Sequence, residues 1–384
     1  MKCIFNGIIL LDGKQLEGKA LLYNETIQEI IDEEEALDLP QVTERVDARG
    51  GYIAPGFVDI HIHGYDGVDT MDGTVEDIQI IAKGIPANGV TSFLPTTMTM
   101  SREEITMALD CVRQAKEVQD TMIGADILGV HMEGPFLNVK FKGAQNKKYF
   151  QKPDAKYVKD NQDIIRHITV APEIEGADEF IGDISKNTDI SLSMGHTAAT
   201  FEQAMEAVQS GVNHVTHLFN AMTGLHHREP GVVGAALASD ISCELICDNI
   251  HVHPGLFKMI HQVKGPDKLI LVTDCMRAGG KEDGEYSLGG QKVFVKDNSA
   301  RLEDGNLAGS VLKLNDALKN MIDYTGIPVE EAIKYVTINP ASVINVQDRK
   351  GTLDSGKDAD ITVLDENMEV QITIGKGKVI YAKH

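Results

Sequence analysis

The chain has 384 residues, 42% of them hydrophobic and 24% charged, which is enough apolar material for one large core and a small companion. Its formal net charge of -22 repels nucleic-acid phosphates and anionic lipid surfaces, so neither is expected as a partner. The five cysteines are odd in number and scattered, as in a protein of the reducing cytoplasm, and the start of the chain reads as a strand rather than a secretion signal.

Both ends alternate short apolar runs with turn residues, at Asp12-Gly13 and Glu17-Gly18 near the start and at Gly375 and Gly377 near the finish. Segments 1–55 and 346–384 are expected to pair into one small discontinuous β-sandwich domain. Segment 56–345 has a different rhythm. Strand-like runs fall at 57–63, 91–96, 127–133, 168–172, 190–196, 214–218, 244–247 and 269–273, with helical patterns between several of them. Ser101 with Glu104 makes a capping box for a helix running to about Gln119, and Thr200 with Gln203 starts another. Eight strands alternating with helices predict an α/β fold of the TIM type, a parallel (β/α)8 barrel. A doubly wound open sheet competes, but no glycine-rich dinucleotide turn follows the first strand. Cys243 and Cys247 share one face of a strand-like run and read as core residues rather than a metal pair. No apolar run approaches the length of a membrane span.

The C-terminal strand ends of such a barrel converge on one mouth, where active sites sit. His61 and His63 close the first expected strand, Glu133 the third, His196 the fifth and His217 the sixth, while Asp274 follows the eighth. A single histidine is more often a hydrogen-bonded or surface residue. Six ligand-type side chains on one rim are a different matter, and point to a carboxylate-plus-imidazole metal site with room for water, suited to Zn²⁺ or Fe²⁺. The spacing of His61-Ile62-His63 turns both imidazoles into the mouth and Ile62 towards the helices. His226, His227 and Arg228 cluster after the sixth strand, with Asn220 before them, and suit a phosphate group. The loop 140–148 carries four lysines and is expected to lie over the mouth as a lid.

Pro55-Gly56-Phe57-Val58-Asp59-Ile60-His61-Ile62-His63-Gly64 resembles the first-strand motif of the amidohydrolase superfamily, and Gly356-Lys357-Asp358-Ala359-Asp360-Ile361 resembles its usual C-terminal sheet segment. More specifically, His131-Met132-Glu133-Gly134-Pro135-Phe136-Leu137, Gly195-His196-Thr197, Thr216-His217-Leu218-Phe219-Asn220-Ala221-Met222 and Arg228-Glu229-Pro230-Gly231 resemble N-acetylglucosamine-6-phosphate deacetylases. The likeness covers essentially the whole chain. It implies a cytoplasmic homodimer acting in amino-sugar catabolism and cell-wall sugar recycling, with His227 or Arg228 reaching across to the partner. It implies Glu133, His196 and His217 as metal ligands and Asp274 as the catalytic acid–base. Substrate contacts are implied at Ala144, Gln145, Asn220, Ala221, Arg228, His251, Leu307, Ala308 and Gly309. This chain has Gln145 where many members carry histidine, and it keeps both first-strand histidines, which some members lack.

The chemistry is consistent with that resemblance. An acetamide is a poor electrophile, so a divalent metal must polarise it and acidify a water. Asp274 would take the water's proton and hand it to the leaving amine, and His251 would stabilise the oxyanion. His253 beside it raises the alternative of a solvated histidine face. One ion needs only Glu133, His196 and His217. His61 and His63 would then be buried with unsatisfied nitrogens, so a second ion is expected, with hydrogen bonds to neighbouring carboxylates or a role in orienting substrate as the alternative. Among other enzymes, a cyclic amidase or deaminase would use a carboxylated lysine from the fourth strand, where this chain has Ala171-Pro172-Glu173. A catalytically silent scaffold is the non-enzymatic alternative, and the intact ligand set speaks against it.

Overall fold

A computed structural model describes residues 1–11 and 13–383, so Asp12 of the expected Asp12-Gly13 turn lies outside the described residues. Eight parallel strands form its centre: Phe57–Ile62, Val90–Thr97, Val130–Glu133, Ile165–Val170, Ser191–Met194, His214–Val215, Ser242–Leu245 and Leu269–Leu271. Each pairs in parallel with the next. The ring closes just past the eighth strand, where Ile62 bridges Cys275 and the Asp274 amide donates to the His61 carbonyl at 2.9 Å. Every residue of Val90–Thr97 is buried, as a parallel strand enclosed on both faces requires. The helices Arg102–Val118 and Phe201–Ser210 begin at the two expected capping boxes. Ile105, Ala108, Leu109, Val112 and Ala115 form the buried stripe of the first, at the spacing that keeps one face inward.

Several strands are shorter than their apolar runs. The third is split into Asp126–Ile127 and Val130–Glu133. Gly129, between them, has φ +155°, and a Cβ there would lie 2.6 Å from the Ile164 carbonyl oxygen, so the backbones meet only because this residue is glycine. The fifth, sixth and eighth strands stop short of His196, His217 and Asp274. Those three residues have φ of 47°, 31° and 48°, a left-handed backbone that leaves the strand ladder. The strands therefore end so that these side chains can be re-aimed.

The two chain ends meet in a six-stranded sheet, where Ile361–Leu364 lies antiparallel to Tyr52–Pro55. A four-stranded sheet made of Lys2–Phe5, Lys19–Tyr23, Ile27–Asp32 and Glu44–Asp47 covers it. Ile4, Leu21 and Tyr23 of one sheet pack with Ile9, Ile53, Ile361 and Ile374 of the other. The β-sandwich thus draws on both termini, as the patterning predicts.

A three-stranded antiparallel sheet after the eighth strand was not anticipated: Gly284–Leu288, Gln291–Lys296 and Ser299–Leu302. Its two-residue turns, Gly289-Gly290 and Asp297-Asn298, all have positive φ, the backbone of the favoured hairpin turn. Leu288, Val293 and Ala300 pack on Met98 and Met276, which sets the segment after the sheet against the barrel mouth. Among the described residues, no helix is long and apolar enough to cross a membrane.

Candidate active site

At the mouth lies a cavity of about 440 Å³, lined among others by His63, Glu133, His196, His217, His251 and Asp274. Glu133 ends the third strand at its centre. Its Oε1 is 3.0 Å from His196 Nε2, 3.1 Å from His217 Nε2 and 3.6 Å from His61 Nε2, and its Oε2 is 3.3 Å from His63 Nε2. Asp274 Oδ1 stands 3.5 Å from His61 Nε2 and 3.3 Å from His63 Nε2. The side chains thus form two groups that share Glu133, one with His196 and His217, the other with His61, His63 and Asp274.

The protons show what the groups can hold. His196 Nδ1 lies 2.9 Å from the Phe141 carbonyl oxygen and His63 Nδ1 lies 3.2 Å from that of Thr96. A carbonyl only accepts, so each Nδ1 carries the proton and each Nε2 of a neutral ring is a bare lone pair. His61 Nδ1 is likewise committed, to Glu244 Oε2 at 2.9 Å, and its buried Nε2 has no hydrogen-bond partner. Imidazole lone pairs converging on two carboxylates repel unless a cation lies between them. Two donors on a tetrahedral ion at about 2.1 Å are about 3.4 Å apart, close to the spacings in both groups. The surrounding carboxylates also favour positive charge at this point. Burial works against charge on His61, but Glu244, Asp274 and Glu133 outweigh it and raise its pKa to about 9. Burial also opposes charge on Glu133, yet His196 and His61 hold its carboxyl well below the usual range. The residues fit a divalent metal.

The surrounding chain fixes these side chains. Thr273 Oγ1 donates to Asp59 Oδ2 at 2.6 Å, and the Ser310 amide donates to the Asp274 carbonyl at 2.7 Å, pinning the turn that presents Asp274. The expected lid loop packs directly on the metal group: a Cβ on Gly143 (φ +52°) would lie 3.1 Å from His196 Cε1. From this loop Lys140 and Lys142 line the cavity.

Residues 52–380 match the model of the amidohydrolase family. The chain belongs to the amidohydrolase family. Over 335 residues it is 42% identical to an N-acetylglucosamine-6-phosphate deacetylase of Bacillus subtilis (strain 168), a match spanning 86% of this chain and 84% of that protein. An N-acetylgalactosamine-6-phosphate deacetylase of Escherichia coli O157:H7 is 37% identical over 335 residues, 86% of this chain and 87% of the relative. Among solved structures, an N-acetylglucosamine-6-phosphate deacetylase from Pasteurella multocida superposes with a TM-score of 0.93 at 32% identity, over 100% of both chains.

Within this amidohydrolase barrel most of the sequence-derived site residues come together. Ala144, Gln145, Asn220, Ala221, His251, Leu307 and Gly309 line the cavity with the metal groups. Ala308 is buried behind them, its amide bonded to the Ala300 carbonyl. Gln145 faces the metal centre: its Nε2 donates to Glu133 Oε2 at 2.6 Å, and its Oε1 accepts from the Thr99 amide. His227 and Arg228 are not brought to the cavity of their own chain. They stand exposed, with Arg228 Nη1 2.6 Å from His227 Nε2. His251 is turned inward and held at Nδ1 by Asp248 Oδ2 at 2.6 Å, whereas His253 is exposed and caps the short helix Pro254–Leu256. Glu173, which stands where a bridging lysine would follow the fourth strand, bonds Thr197 Oγ1, the Ala198 amide and Asn138 Nδ2 in a loop.

Sequence reasoning missed Asp248, Asn306 and the polar filling of the barrel. Small barrels are usually packed with branched apolar residues. Here His61, His131, His167, His214 and Glu244 are all completely buried within it. The available signal was Glu244 itself, a carboxylate in the middle of an apolar strand, since buried charges are almost never left unpaired.

Proposed function

We propose that this protein hydrolyses the acetamide of N-acetyl-D-glucosamine 6-phosphate, giving acetate and D-glucosamine 6-phosphate. The observation that carries the reading is the shared Glu133 carboxylate, set between two imidazole groups in a cavity that also holds Asp274 and His251. The extensive likeness to deacetylases supplies the substrate class. When bound, the metal supplies Lewis acidity, polarising the amide carbonyl and acidifying the attacking water. Asp274 takes the proton from that water and returns it to the departing amine nitrogen, acting first as base and then as acid. Asp248 holds the His251 ring, which donates from Nε2 to the developing oxyanion when it carries both protons. Ala144, Asn220, Ala221, Leu307 and Gly309 orient the sugar, and Ala308 supports that wall from behind.

The nitrogen and oxygen donors suit Zn²⁺ or Fe²⁺, and we assign two ions per chain. Glu133, His196 and His217 would hold one, and His61, His63 and Asp274 would hold the other. Metal analysis of protein produced with excess iron or zinc should find about two ions per chain. His61→Ala with His63→Ala should lower this to about one. An unchanged single ion in both proteins rejects the second site.

The five free, buried cysteines suit the reducing cytoplasm. A homodimer would let the exposed His227 and Arg228 of one copy reach the substrate phosphate in the other. Acetate release from phosphorylated and unphosphorylated N-acetyl sugars tests substrate and loop together. The phosphorylated glucosamine derivative should be strongly preferred. Arg228→Ala should weaken it by about 10- to 100-fold, the worth of a charge-assisted contact, and leave the free sugar little affected. Equal losses on both would make Arg228 structural.

A further inference from the structure

We propose that Glu244 is a positioning residue that orients one histidine in each group of the metal centre, an inference resting on the metal-ligand reading above. Glu244 lies in the seventh strand, Ser242–Leu245, and is completely buried inside the barrel. Its Oε2 accepts two hydrogen bonds, from His61 Nδ1 at 2.9 Å and from the His217 amide at 3.0 Å. The first bond sets the His61 ring so that Nε2 points between Glu133 and Asp274. The second acts through the backbone. His217 has φ 31°, a conformation that persists only where its surroundings enforce it. Glu244 enforces it twice, because its main-chain carbonyl also accepts from the Leu218 amide at 2.9 Å.

The other carboxylate oxygen is held from behind. Oε1 lies 3.3 Å from His214 Nε2, whose Nδ1 is 2.7 Å from Ser242 Oγ. His167 Nε2 is 3.7 Å from the same oxygen. Packing alone does not call for this arrangement, since a leucine or methionine would fill the space without a buried charge. Metal-binding imidazoles generally give their second N–H to such an acceptor, which fixes the tautomer and strengthens the ligand. Glu244 does this for His61 by its side chain while it clamps the turn that carries His217. Its loss should therefore disturb both ions.

Glu244→Gln keeps the shape but removes the charge, and Glu244→Asp keeps the charge but is one methylene too short to reach both partners. Metal retained after dialysis against graded chelator is the first readout, and the visible spectrum of cobalt-loaded protein is the second. Both variants should bind metal about 10- to 100-fold more weakly, show altered cobalt bands, and lose kcat with KM little changed. Variants that fold, hold metal like the wild type and give its cobalt spectrum overturn the proposal, even if they melt earlier. A wild-type chain that retains no metal rejects the metal-ligand reading and this proposal together. Should neither variant fold, proton NMR of the metal-loaded wild type decides. A downfield Nδ1–H signal absent in His61→Ala supports the contact, and its absence overturns it.

Discussion

Asp274→Asn should leave the fold and the ion held by Glu133, His196 and His217 in place, yet lower kcat by at least ~10³-fold. A positioned acid–base group is typically worth about 10²–10⁴-fold, and the role proposed for this one covers both halves of the reaction. Its position supports the assignment: the carboxylate lines the cavity, and its strained turn is pinned from the first strand and from Ser310. Burial opposes charge on Asp274, but the positive charge favoured at His61 and His63 holds its carboxyl below the usual range. Circular dichroism, metal content and acetate release should be measured on one preparation. Turnover near the wild-type rate in a folded, metal-loaded variant would remove Asp274 from the mechanism.

Glu133→Gln should be comparably severe, through the metal rather than the proton. The Glu133 carboxylate stands within 3.6 Å of four imidazole nitrogens. Losing one partner of a buried ionic contact costs about 3–5 kcal/mol, equivalent to about 10²- to 10³-fold or more in metal affinity. Metal content after dialysis should fall for both ions, and acetate release should fall with it. This separates Glu133 from His61 and His63, whose joint loss should spare one ion. A Glu133→Gln protein that keeps both ions and full turnover would show that the carboxylate is not shared.

The barrel and its helices were legible because their signals are local. Capping boxes at Ser101 and Thr200 and the buried runs between them reflect hydrogen bonding and hydrophobic periodicity within a few residues. The hairpin turns at Gly289-Gly290 and Asp297-Asn298 are equally local, but they belong to a small sheet by the mouth that lies outside the strand–helix alternation. Strand ends were misjudged for another reason. At His196 and His217 the backbone turns left-handed within the apolar run, and apolar patterning carries no trace of that turn.

By itself, the sequence determined the fold class, the residues able to bind metal at the barrel rim and, by resemblance, the family. Strand alternation and barrel closure carry residues far apart in the chain to one mouth, so chemical type and order sufficed for that much. Only the tertiary structure decided how those residues group around Glu133 and what holds them. It set Glu133 between two groups, turned Gln145 onto that carboxylate, paired His251 with Asp248, and placed Glu244 beneath His61 and His217. It also left His227 and Arg228 outside their own cavity. These outcomes depend on distances and lone-pair directions between segments far apart in the chain, 183 residues in the bond from His61 to Glu244. Hydrogen bonds favour a donor–acceptor separation defined to a few tenths of an ångström and a narrow range of angles, and no pattern along the chain records geometry that fine.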